Sequence, residues 1–182
     1  MTHAVRFAGA ERTLTGKRPG VRVTQALVFL SGALALNVAV VPNDRRFYWT
    51  PLVVGLAYLA AAAVGGRRGG HWATACVLVG WGVAVVFAGA ARPDLDIAGL
   101  YMVGAGLGAV AGLCLRRAGV DVDPLGLAVA ITAGGLILTV AAQAPSVLEN
   151  ARTYAGLLAL VAVANLALAA RDWGAEPSEG PT

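Results

Sequence analysis

Residues 80–112 read GWGVAVVFAGAARPDLDIAGLYMVGAGLGAVAG: an apolar segment, a short break at Ala91-Arg92-Pro93-Asp94, and a second apolar segment, with glycine throughout. Each flank belongs to an apolar stretch of about seventeen to twenty residues, which at 1.5 Å per residue roughly matches a 30 Å hydrocarbon core. The break reverses the chain, so the stretch reads as a transmembrane hairpin.

The same pattern stands once before this stretch and once after it. In each copy a glycine of the first helix precedes a proline at the turn by about ten residues, and a second glycine follows by about eleven to thirteen. The triplets are Gly32, Pro42 and Gly55, then Gly82, Pro93 and Gly104, then Gly135, Pro145 and Gly156. The chain therefore reads as an all-α membrane protein of six transmembrane helices in three repeated hairpins. The expected organisation is a basic amino-terminal arm over residues 1–22, a six-helix bundle over 23–171 and a disordered tail over 172–182.

Composition agrees. The 182 residues are 58% hydrophobic and 13% charged, with a mean hydropathy of +0.71, whereas soluble domains carry charge on about a quarter of their residues. Six spans leave loops of about five to ten residues, too short to hide a soluble domain. The formal net charge of +4 does not imply a nucleic-acid partner, because the basic residues follow the membrane pattern. Arg6, Arg12, Lys17, Arg18, Arg22, Arg67, Arg68, Arg116, Arg117 and Arg171 fall at one end of the helices, and only Arg45, Arg46, Arg92 and Arg152 at the other. By the positive-inside rule this places both termini in the cytoplasm of a plasma-membrane protein. Basic residues beside a membrane also attract anionic lipid, so membrane lipids are expected partners.

Along the chain, the first apolar run, about residues 23–41, is longer than a signal-peptide core and follows too long an arm, so an uncleaved helix is expected. Its polar members are Ser31 and Asn37. Phe47, Tyr48 and Trp49 form an aromatic group suited to the membrane boundary, and Thr50-Pro51 starts the second helix where the missing amide costs nothing. His71 and Trp72 open the third. In the fourth, Gly104, Gly108 and Gly112 repeat every four residues and form one packing face of two overlapping G-x-x-x-G motifs. This face is the expected route to a homo-oligomer or to a partner membrane protein. Thr132, Gly135, Thr139 and Gln143 make a mildly polar stripe on the fifth helix, and Asn165 lies in the sixth.

Little of this carries chemistry. Proton relays and ion-coupled pumps keep ionisable groups inside the membrane, and here every Asp, Glu, Lys and Arg falls in a loop, a helix end or a terminus. His71 has no second histidine beside it except His3, and Cys76 sits five positions on, so a zinc site with three or four ligands is not expected. The same shortage argues against a nucleophile with its base. Cys76 and Cys114 are expected as free thiols. The sequence thus points to no catalytic residue, no metal and no cofactor. The polar set Asn37, Tyr58, Trp81, Thr132, Thr139, Gln143 and Asn165 has two readings: a narrow path for a small neutral solute, or interhelical hydrogen bonds. In a closed ring of three hairpins Asn37 and Asn165 would be neighbours, and the second reading expects them to bond across that seam.

The three glycine–proline–glycine triplets, spanning about residues 23–170, resemble the HdeD-like acid-resistance membrane proteins and relatives built from a short hydrophobic repeat. The resemblance implies a six-helix plasma-membrane protein associated with stress tolerance and brings no catalytic motif. The long basic arm and the His71-Trp72 boundary have no counterpart in it. Two functions follow: a non-catalytic membrane component, stress-related or accessory, that acts through helix and lipid packing, and a channel or facilitator for a small neutral solute.

Overall fold

The computed structural model describes residues 19–42, 44–93, 97–141 and 150–174. They form six helices, and no strand occurs among the described residues. The helices are α1 (Pro19–Ala35), α2 (Thr50–Val64), α3 (Trp72–Ala91), α4 (Ile97–Arg117), α5 (Pro124–Ala141) and α6 (Ala151–Gly174). With its extension α1 gives a predominantly apolar span of 22 residues, and the segments around α2, α3, α4 and α6 give spans of 19, 20, 21 and 23, each enough to cross a bilayer. The outward faces are oily: Met102 is 78% exposed, Leu125 70% and Val38 67%. Only a hydrocarbon solvent makes such a surface stable, so the chain is a multi-pass integral membrane protein.

Asn37 shapes the end of α1. Its amide donates to the Ala33 carbonyl at 3.0 Å, the acceptor that an α-helix reserves for the Asn37 backbone N–H. The helix widens into a π turn over Leu36–Val40, closed by Val41 N–H on the Leu36 carbonyl at 2.9 Å. The aromatic group then occupies a 3₁₀ segment, Asp44–Trp49, ahead of α2 rather than its first turn. Tyr48 packs on the bare backbone of Gly89 in α3, and Phe47 meets Tyr154 of α6 with ring centroids 6.1 Å apart. These rings fasten one end of the bundle.

The hub is α3. It has α2 on one side and α4 on the other, and both approaches depend on glycine. A Cβ on Gly55 would stand 2.8 Å from the Val79 nitrogen, and one on Gly82 would stand 2.6 Å from Leu52 Cα, so α2 and α3 touch backbone to backbone. Gly80 meets Gly108 across the α3–α4 contact in the same way. In lipid, where no hydrophobic drive brings helices together, such close approach provides the dispersion energy and weak C–H···O contacts that hold them.

On the other flank α1 and α6 pack antiparallel. Ala26, Phe29, Ala33 and Leu36 of α1 face Ala155, Leu158 and Ala162 of α6 in one buried cluster, each set spaced by three or four residues. Near their joint end Arg22 Nε donates to Asp172 Oδ2 at 2.7 Å, with the side chains 18% and 20% exposed. The first and last helices are therefore neighbours with their outer ends on one side of the bundle. Both residues are helical, so α1 begins before the expected boundary of the arm and α6 continues past the expected start of the tail.

The first two helix pairs, α1 with α2 and α3 with α4, pack as hairpins, but the third pair is divided. Helix α5 lies on α3, where Leu127 and Val122 enter a small buried cluster with Ala73 and Val77, whereas α6 lies on α1. The repeat glycines explain the difference. Gly32, Gly55, Gly82 and Gly104 all meet a neighbouring helix, but a Cβ on Gly135 or Gly156 would meet nothing within 4 Å. The third copy keeps the sequence pattern without the contact, and the described bundle is an open arc rather than a closed ring.

Candidate functional site

The most elaborate polar and aromatic grouping lies where α1, α2 and the start of α3 meet. Phe29 stands edge-on to Tyr58 at 4.9 Å and to His71 at 5.5 Å, and Tyr58 meets His71 at 5.9 Å. One turn before Phe29, Gln25 is fully buried. Its Nε2 donates to the Ala61 carbonyl at 2.8 Å and to the Gly69 carbonyl at 3.4 Å. The first carbonyl belongs to the last turn of α2, where it also accepts from Gly65 N–H at 3.2 Å, and the second to the loop that follows. Gln25 therefore ties α1 to the α2–α3 connection, while its Oε1 is buried with no partner among the described residues. Trp72 Nε1 donates to the Gly66 carbonyl at 2.9 Å and holds the same loop from the other side.

Tyr58 also lines an apolar cavity of about 160 Å³ between α2, α3 and α6, together with Trp81, Tyr154 and Leu158. The Trp81 indole nitrogen is buried with no partner among the described residues, and its ring stands edge-on to Tyr101 at 6.4 Å. A cavity of this size walled by ring edges and leucines accepts an apolar group and offers an ion no counter-charge. Two wider apolar grooves lie on the surface, one between α1 and α2 and one where α2, α3 and α4 meet.

The residues expected to form a polar path do not converge. Asn37 and Thr132 are exposed, and Thr132 Oγ1 donates to the Ala128 carbonyl at 2.9 Å. Asn165, 7% exposed, donates to the Val161 carbonyl at 2.9 Å. Asn37 and Asn165 thus each bond within their own helix, which corrects the expected bond across the α1–α6 seam. An amide on a helix reaches the carbonyl four residues back without help from a neighbour. Tyr58 is in the aromatic group and Trp81 beside the cavity. The side chain of Thr139 and all of Gln143 lie outside the described residues.

Gly104, Gly108 and Gly112 are the buried residues of α4. Gly104 meets Ala84 and Gly80, Gly108 meets the Cys76 carbonyl, and Gly112 meets Leu127 of α5. The glycine face is thus filled by helices of the same chain, which corrects its assignment as the route to a second subunit. Cys76 and Cys114 are free thiols, the first buried and the second exposed. Among the described residues no three His, Cys, Asp or Glu side chains gather as metal ligands.

No protein-family model, curated protein or solved structure matches the chain.

The residues that sequence reasoning missed are Gln25 and the Arg22–Asp172 pair. Gln25 was legible as an amide two residues into the first apolar run, where burial without a partner is costly. Arg22 and Asp172 each sit one residue outside the expected bundle, and nothing in the sequence pairs them.

Proposed function

We propose that this chain is a non-catalytic membrane component, stress-related or accessory, that acts through helix and lipid contacts. We place it in the plasma membrane with both termini cytoplasmic, on the excess of arginine at the end of the bundle that carries Arg22, Arg67, Arg68, Arg116, Arg117 and Arg171. The observation that carries the reading is that the intramembrane polar side chains do not gather along an interior path. Ser31, Asn37, Thr132 and Asn165 each donate to the carbonyl four residues earlier on their own helix, and the first three are exposed on the outside of the bundle. The interior between α1 and α6 is alanine, leucine and phenylalanine, a surface that excludes water. The resemblance to HdeD-like proteins supports a stress-related role and rests on the triplet pattern alone.

The test is water access. In a chain with Cys76 and Cys114 replaced by alanine, single cysteines at Ala33 and Ala162 are exposed to a small water-soluble maleimide in sealed vesicles. The proposal expects both to stay unlabelled while a cysteine at Arg152 reacts. Labelling of Ala33→Cys or Ala162→Cys from the aqueous side would favour a water-filled path and hence the facilitator reading.

A further inference from the structure

Four arginines that no ion pair engages among the described residues stand together at one end of the bundle, and an apolar groove begins just inside them. Arg67 and Arg68 come from the α2–α3 connection, and Arg116 and Arg117 from the end of α4; all four are exposed. The two connections are locked to each other: Asp121 N–H donates to the Arg67 carbonyl at 2.8 Å, and the Arg67 guanidinium lies 4.0 Å from where a Cβ on Gly119 would stand. Among the described residues the acids at this end are Asp121, Asp123 and Asp172. Asp172 is neutralised by Arg22, and the Asp123 carboxylate accepts from the first amides of α5, Leu125 N–H at 3.0 Å and Gly126 N–H at 3.2 Å. With Asp121 and Asp123 set against four arginines, the described part of the patch keeps a net positive charge.

The groove at the meeting of α2, α3 and α4 measures about 310 Å³ and is lined by Leu59, Ala75, Val79, Val83, Leu107 and Ala111, among others. Ala111 lies five residues before Arg116, about 7.5 Å along the helix axis, and Ala75 lies in the first turn of α3. The small residues at the mouth leave room that the larger ones deeper in close off.

We infer that this end of the molecule is a binding site for an anionic phospholipid, its phosphate on the Arg67, Arg68, Arg116 and Arg117 patch and one acyl chain in the α2–α3–α4 groove. The inference rests on the lipid-contact reading above and names the lipid class. Charge complementarity selects the occupant: a guanidinium pairs with a phosphate oxygen through two parallel N–H donors, and only an amphiphile satisfies the patch and the groove together. A zwitterionic lipid meets the same groove but brings its own cation to the arginines.

The full chain, purified in a mild detergent, is titrated with dioleoyl phosphatidylglycerol or dioleoyl phosphatidylcholine at low salt, and lipid adducts are counted by native mass spectrometry. The expected preference for phosphatidylglycerol is more than tenfold, and each arginine changed to glutamine lowers it about fivefold. R67Q/R68Q/R116Q/R117Q abolishes the preference, R46Q/R152Q at the opposite end leaves it intact, and Ala111→Phe, which fills the groove mouth, weakens both lipids about tenfold. Glycerophosphoglycerol, the same headgroup without chains, binds far more weakly. An undiminished preference in the quadruple variant, an equal loss in R46Q/R152Q, or headgroup binding as tight as the whole lipid would each overturn the inference. Solute flux or water access to the α1–α6 interior would sink the broader reading and leave this titration untouched, so the two fail separately.

Discussion

Two glycines of α4, two residues apart, make opposite predictions. A Cβ on Gly106 meets nothing within 4 Å, whereas one on Gly108 runs into the Cys76 carbonyl and comes within 3.1 Å of Val77 Cα. In both places Ala for Gly improves helix propensity by about 1 kcal/mol, so Gly106→Ala is expected to stabilise the protein by about that amount. At Gly108 the obstacle is backbone and cannot rotate away. The helices must part, which for overpacking costs about 1–3 kcal/mol, and the rigidity of the obstacle puts this case at the upper end. After the propensity gain the net loss is about 2 kcal/mol, so the two variants should differ by about 3 kcal/mol, more than a hundredfold in the unfolding equilibrium. The assay is reversible unfolding in micelles of a mild detergent titrated with dodecyl sulfate, followed by tryptophan fluorescence. Equal midpoints, or a Gly108→Ala protein the more stable of the two, would refute the assignment of this face to the contact between α3 and α4. A variant that loses an oligomer but unfolds at the unchanged midpoint would refute it as well.

Other outcomes follow from the same geometry. Asp172→Asn should destabilise by about 1 kcal/mol, as expected for a partly exposed pair, and the swap R22D/D172R should recover part of that loss; unfolding midpoints decide it. Gln25→Leu should cost about 1–2 kcal/mol, because it removes the buried amide that bonds the Ala61 and Gly69 carbonyls and ties α1 to the α2–α3 connection, and limited proteolysis should then cut near Gly66–Gly70 faster than in the parent. A double-mutant cycle on Asn37→Ala and Asn165→Ala should show coupling below about 0.5 kcal/mol, since each amide bonds its own helix; coupling of 1 kcal/mol or more would restore a bond across the seam. Arg92, in the left-handed region at φ 45°, should give a protein more stable by about 1 kcal/mol when changed to glycine.

The parts of the fold that were legible depend on a single helix. Segment length marks the spans, proline at Pro51 marks the start of α2, and the four-residue spacing of Gly104, Gly108 and Gly112 marks the buried face of α4. Which surface fills that face was not legible, because a glycine stripe is equally suited to a helix of the same chain or of another. Repeat symmetry misled for a related reason. Gly135 and Gly156 match Gly82 and Gly104 in sequence, but a glycine records only the absence of a side chain, and α5 and α6 found their contacts on α3 and α1 instead. The amides show the same limit: an amide is costly in hydrocarbon unless bonded, and Asn37 and Asn165 each bond a carbonyl of their own helix. Gln25, near the start of α1, reaches one carbonyl in the last turn of α2 and one in the loop beyond it, a tertiary relation that no spacing within one helix encodes.

The proposed function requires that the bundle carry no solute. Stopped-flow swelling of liposomes containing the purified protein, with a panel of small neutral solutes and protein-free liposomes as the control, tests this most directly. Swelling indistinguishable from the control for every solute is the predicted result. Flux above the control that falls when Thr139 or Gln143 is replaced by a bulky apolar residue would contradict the account and make the protein a facilitator.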